Sequence, residues 1–170
     1  ITGSMWAHQQ FNPNKCNCDC NNANTQPDII SFGKKTQVCG IFAGKKLDEV
    51  ENNVFHESSR LNSTWGGNIV DMVRITIYLE IIAKEKLVEN ASLNGHYLLK
   101  KLQGIQEEYS DIISNARGRG LFAAFDLQDS EQRDSLVNLI ISEGALILGS
   151  GKKSIRFRPH LTISKEEIDL

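Results

Sequence analysis

Apolar and polar positions divide the chain into segments of different character. Asp28 to Phe32 is a short apolar run, with Ile29, Ile30 and Phe32, closed by Gly33. A run of that length bounded by glycine predicts a buried strand. Val38, Ile41 and Phe42, set between glycines, predict a second strand within residues 36–44. Residues 57–68 are polar and turn-rich, ending in Trp65-Gly66-Gly67-Asn68. From Ile69 to Ala83 apolar residues are so dense that the predicted helix is buried on most of its sides. From Leu87 onward they thin to one stripe, Leu87, Ala91, Leu98, Leu102, Ile105 and Tyr109, at a helical period. The change near residues 84–89 suggests a passage from one domain to another.

Beyond this stripe the pattern alternates. Arg117-Gly118-Arg119-Gly120 predicts a tight turn, and Leu121 to Phe125 a strand. Asp129, with Gln132 three residues on, predicts a helix start, and Gly144 its end. Ala145 to Leu148 and Ser154 to Arg158 predict two more strands, the second closed by Pro159. Together these make a small α+β unit, antiparallel strands with helices on one face. Residues 12–27, rich in Asn and holding two Pro, predict a loop between ordered segments.

Composition adds limits. The chain has 170 residues, is 40% hydrophobic and carries a net charge of −2, values of an ordinary globular protein. That balance gives no reason to expect nucleic acid or an anionic membrane as partner. No apolar run is long enough to span a bilayer and no signal peptide is visible, so a cytoplasmic location is expected. The sequence opens at Ile1 and stops at Leu170, just after the capping box Ser164-Lys165-Glu166-Glu167. It therefore reads as part of something longer. Cys16, Cys18 and Cys20 lie close together and Cys39 is alone. Thiolates suit zinc or copper(I), but this spacing lacks the usual paired knuckle, so an Asn-rich surface loop is the plainer reading and no metal is assigned.

Three places could carry chemistry. Lys34 follows a predicted buried strand and Gly33. A lysine is seldom put where it would lose water unless its amine is used, and a partly desolvated amine is a better nucleophile. The plainer alternative is an exposed loop lysine with Lys35 as its twin. Asn62-Ser63-Thr64-Trp65-Gly66-Gly67-Asn68 opens the long helix, where hydroxyls and backbone N–H groups suit a phosphate. A simple cap by Asn68 or Thr64 would use the same residues. Arg156 and Arg158 alternate along a strand and so share one face, which suits capture of a carboxylate. A solvated edge strand would look the same. His8, His56, His96 and His160 have no ligand spacing and receive no role.

In order and spacing these segments resemble the class III aminotransferases. The features are Asp28 followed by Gly33-Lys34, then Thr64-Trp65, then Arg117-Gly118-Arg119-Gly120, then Ser154-Ile155-Arg156-Phe157-Arg158-Pro159. The likeness covers about residues 1–11 and 27–170. It implies an α/β fold: the end of a fold type I large domain over 1–75, a connecting helix over 76–90 and a truncated small C-terminal α+β domain over 91–170. It implies pyridoxal 5′-phosphate as cofactor, bound by Lys34 as a Schiff base. Lys34 would also move the proton between substrate and cofactor. Ser63 and Thr64 would hold the phosphate across a homodimer interface. Arg156, supported by Arg158, would hold a substrate carboxylate.

Within that family, Phe32 to Gly40 and Leu61 to Asn68 are most similar to the branch acting on the terminal amine of L-lysine. The implied reaction passes that amine to 2-oxoglutarate, giving 2-aminoadipate 6-semialdehyde and glutamate. A 4-aminobutyrate or ornithine donor, or a non-catalytic scaffold, would keep the same scaffold residues. The resemblance also puts the partner of the pyridine nitrogen, the glycine-rich phosphate turn and a second substrate arginine upstream of Ile1. The chain alone is therefore expected to be inactive.

Overall fold

The computed structural model describes residues 1–11, 26–36 and 38–170, with Lys35 by its backbone only. Helices and sheets are mixed. Contacts divide the chain into two compact units, one of Cys18–Glu85 and one of Ile1–Asn17 with Lys86–Leu170.

In the first unit, strands β1 (Ile29–Phe32) and β2 (Gly40–Ala43) form an antiparallel hairpin, pairing Ile29 with Ala43 and Phe32 with Gly40. The mouth of the hairpin is tight. The Phe32 ring covers Gly40 so closely that a Cβ there would lie 2.4 Å from Cζ. The same ring stacks on Phe42 at 4.7 Å. Past β2, Asn53 is buried and organises its loop: its side-chain amide donates to the carbonyls of Leu47 and Val50, and its carbonyl accepts from Phe55 N. Helix α1 (Ile69–Lys84) is capped by Asn68, whose side-chain oxygen accepts from Val70 N at 3.0 Å. The expected burial of this helix is corrected here: no residue of α1 is buried, and Ile69 is 78% exposed. Its density of apolar residues states a demand for neighbours. Among the described residues, the elements of its own unit do not meet that demand.

Glu85 closes α1, and Lys86, in the left-handed region at φ 52°, precedes α2 (Leu87–Glu108). The helical stretch is thus two helices. In the second unit, β3 (Ser114–Arg119), β4 (Phe122–Asp126), β5 (Leu148–Ser150) and β6 (Ser154–Phe157) make an antiparallel sheet in the order β3-β4-β6-β5. Leu98 and Leu102 of α2 meet Ala123, Phe125 and Ile155 in one core, which α3 (Ser130–Ser142) completes. Core residues alternate along β4, as Ala123 and Phe125, and along β6, as Ile155 and Phe157.

Local signals fixed the ends of these elements. Asp129 accepts from Gln132 N at 2.9 Å to start α3, and Gly144 takes φ 96° beyond its end. Both bonds of the capping box between Ser164 and Glu167 are made at α4 (Lys165–Asp169). Strand β5 lies later than the expected Ala145–Leu148, because pairing of Leu148 with Arg156 and Ser150 with Ser154 sets its place. Gly118 to Gly120 is not all turn: β3 runs through Arg119, and Gly120 alone bends back at φ 55°. That bend is crowded. A Cβ on Gly95 of α2 would lie 2.1 Å from the Gly120 carbonyl carbon, and one on Gly120 would lie 2.3 Å from Ile1 O. Leu121 N donates to Ile1 O at 2.9 Å, so the amino-terminal segment is stitched to this hairpin.

Candidate active site

Lys34 begins a short 3-10 turn, Lys34–Thr36, directly after β1. Its φ is 62°, in the left-handed region that a side chain with a Cβ seldom adopts. Such outliers persist only where their surroundings force them, and they cluster at functional sites. Gly33 before it is held against Cys39: a Cβ there would lie 2.9 Å from Cys39 Sγ. The sequence predicted an amine held out of water. In this chain Lys34 is exposed, and that expectation is corrected. The cause is the same as for α1. Among the described residues of this unit, only Val38 and Asn53 are buried, so nothing in it covers the hairpin end.

Ser63 and Thr64 lie in the same unit, in the exposed turn before α1. Gly66 N donates to Ser63 O at 3.1 Å, which shapes the turn. Since Asn68 takes the cap, the hydroxyls of Ser63 and Thr64 are not spent on it. No hydrogen bond joins Lys34 to Ser63 or Thr64 among the described residues of this unit.

Arg156 belongs to the other unit, in the middle of β6. Ile155 is fully buried in the core and Phe157 packs against its edge, so the half-exposed Arg156 points to the opposite face of the sheet. It pairs with Ala124, which pairs in turn with Arg117, so the two arginines sit on that face with one small residue between them. Arg117 is committed. It bonds Asp126 Oδ1 at 2.9 Å and donates to Ser154 Oγ at 3.1 Å. Arg156 has no carboxylate within 4.0 Å among the described residues of its unit. Arg158 lies one residue past the end of β6 and is exposed.

Asp126 is the one strongly perturbed carboxylate of this face. Burial pushes its acid up. Ser154 Oγ at 2.6 Å, Asn115 Nδ2 at 2.9 Å and the Arg117 guanidinium outweigh that and bring it down from 3.8 to about 2. The sequence reading missed this network. Its signal is a carboxylate at a strand end whose partners become visible only once the register of three strands is known.

The donors fit a flat phosphorylated aldehyde. An exposed primary amine can condense with the carbonyl, and two hydroxyls left over by a helix cap can take the phosphate. A half-exposed guanidinium without a carboxylate partner among the described residues can take a carboxylate as two parallel bonds. Cys16, Cys18 and Cys20 lie outside the described residues. A shallow cavity of about 440 Å³ beside Gly3, Gln9, Glu89 and Ser92 holds none of the candidate residues.

Comparison with known proteins gives four findings. A family model described as aminotransferase class-III matches residues 1–170. The L-lysine-epsilon aminotransferase of Mycobacterium tuberculosis is 44% identical over 169 residues, covering 99% of this chain and 35% of that protein. A solved structure of lysine aminotransferase from M. tuberculosis in the internal aldimine form superposes with a TM-score of 0.86 at 44% identity, covering 99% of this chain and 36% of that one. A probable mitochondrial 4-aminobutyrate aminotransferase of Caenorhabditis elegans is more distant, 32% identical over 169 residues, covering 99% of this chain and 32% of that protein. The chain thus spans about a third of the length of the curated relatives it matches.

Proposed function

We propose, from the premise that this chain belongs to the class III aminotransferase family, that the protein carrying it uses pyridoxal 5′-phosphate to move the terminal amine of L-lysine to 2-oxoglutarate. The products are 2-aminoadipate 6-semialdehyde and glutamate. The observation that carries this reading is the backbone of Lys34, a non-glycine residue held at φ 62° at the end of a hairpin. Greater identity to lysine than to 4-aminobutyrate aminotransferases, 44% against 32%, favours lysine as donor.

When bound, the cofactor supplies the electron sink that stabilises charge on the substrate carbon. Lys34 would hold the cofactor through its Nζ. The same Nζ, once free, would be the base that moves the proton at the substrate carbon bearing the amine. Ser63 and Thr64 would hold the phosphate through their hydroxyls. Thr64 would do this for a neighbouring copy in a homodimer. Arg156 orients the carboxylate of 2-oxoglutarate, with Arg158 beside it.

In family terms, residues 1–75 close a large cofactor-binding domain, 76–90 connect, and 91–170 form the small C-terminal domain. The enzyme works in the cytoplasm. The test compares glutamate formation from 2-oxoglutarate with L-lysine, L-ornithine and 4-aminobutyrate in turn. L-Lysine is expected to give the highest kcat/KM. A higher value for either rival overturns the donor and leaves the aminotransferase reading in place.

A further inference from the structure

The strained backbone at Lys34 needs something to hold it, and the loop itself supplies the device. Beyond the last β1–β2 pair, Phe32 with Gly40, the chain must close through Gly33 to Cys39. Phe32 seals that mouth by covering Gly40 and stacking on Phe42. On the incoming side Gly33 rests against Cys39 Sγ. On the far side the half-buried Thr36 donates its hydroxyl to Val38 O at 2.6 Å. Val38 is buried, so this bond ties the turn to a fixed point. Lys34 lies between the two anchors.

We propose that Thr36 is a positioning residue for the Lys34 amine, holding the left-handed backbone that aims it; this rests on Lys34 being the cofactor-binding residue. Loss of the hydroxyl frees the Val38 carbonyl and lets Lys34 relax toward negative φ. The Cα–Cβ bond then points elsewhere in part of the population. Only the competent fraction reacts, so the rate falls by that fraction. Binding of the carboxylate at Arg156 does not depend on this loop, so KM for 2-oxoglutarate should hold.

The experiment uses the protein carrying this sequence, loaded with pyridoxal phosphate, as wild type, Thr36→Ser and Thr36→Val. Valine keeps the shape and removes the hydroxyl; serine restores it. For Thr36→Val the expected result is a fall in kcat of about three- to tenfold, the worth of one hydrogen bond. KM for 2-oxoglutarate should stay within about twofold. The pH profile of the lysine-bound cofactor's absorbance should shift, and the pyridoxyl label on Lys34 after borohydride reduction should be reduced. Thr36→Ser should match wild type throughout.

If Thr36→Val labels Lys34 fully, with unchanged absorbance and kcat, the positioning role is wrong while Lys34 keeps its assignment. The role is equally wrong if Thr36→Ser fails as badly as Thr36→Val with a matching drop in the unfolding midpoint, since Thr36 then serves folding alone. If wild type takes no label at Lys34, the reading of Lys34 itself falls, and this inference with it.

Discussion

In the unit that includes Lys86–Leu170, Leu121 and Ile155 are sealed from solvent, whereas in the Cys18–Glu85 unit Trp65 and Ile69 are more than 70% exposed. Both segments are rich in apolar residues. They differ in who supplies the neighbours. In the carboxy-terminal unit much of the apolar surface finds its partner within the unit: Leu98 and Leu102 of α2 and Leu136, Val137 and Ile140 of α3 pack into one core with the four-stranded sheet. In the other unit the hairpin and α1 present apolar surface with little against it among the described residues. A patch of that kind marks a surface built to meet another, in keeping with the homodimer proposed above. The proposed chemistry follows the same division. The proposed reactive amine of Lys34 stands on the under-packed unit, and the proposed carboxylate-binding Arg156 on a strand of the packed one.

Paired truncations would sharpen that contrast most. Ile155→Ala removes a fully buried side chain from the centre of the core and should cost about 2–5 kcal/mol in denaturant unfolding of the chain. Val73→Ala, on a 56% exposed position of α1, should stay within about 0.5 kcal/mol. Equal costs would show that α1 is packed after all. Next in size, Arg156→Ala should raise KM for 2-oxoglutarate about 10- to 100-fold in the active protein, the worth of a charged bidentate contact. It should leave the label on Lys34 intact, because it removes binding and not the amine. An unchanged KM would remove Arg156 from the site.

A smaller effect separates the units by pH. Asp126 is held at about 2 in the folded chain against an ordinary 3.8. The folded value is the lower one, so the unfolded chain takes up the proton first as pH falls. The stabilisation is therefore complete above about pH 5 and is lost between about pH 4 and 2. Its size is about 1–2 kcal/mol, since Arg117 is partly solvated. Unfolding followed against pH should show that loss in wild type and not in Asp126→Asn. An Asp126→Asn chain with the wild-type acid profile would disprove the network's role.

Much of this fold was legible wherever the cause was local. The caps at Asp129 and Ser164 and the stop at Gly144 need only a few neighbouring residues, and all three occur where the sequence put them. What was not legible depends on distant partners. Asn90 and Asn94 of α2 both donate to Ile163 O, about 70 residues away, and no local pattern announces that clamp. The position of β5 was set by its register against β6. The exposure of Lys34 and α1 went against expectation for a related reason: periodicity reports what a segment needs, not whether the same chain provides it. For the site, residue types and order were enough to mark Lys34, Ser63, Thr64 and Arg156 as candidates. The backbone strain at Lys34 and the bond from Thr36 required coordinates.

The central claim is that the Lys34 amine forms the covalent link to the cofactor. Borohydride reduction of the cofactor-loaded protein, followed by peptide mapping, tests it most directly. A pyridoxyl group on Lys34, absent from Lys34→Ala together with a loss of activity of about 100- to 10,000-fold, is the expected result. A label on Lys35, or none on this chain, would contradict it.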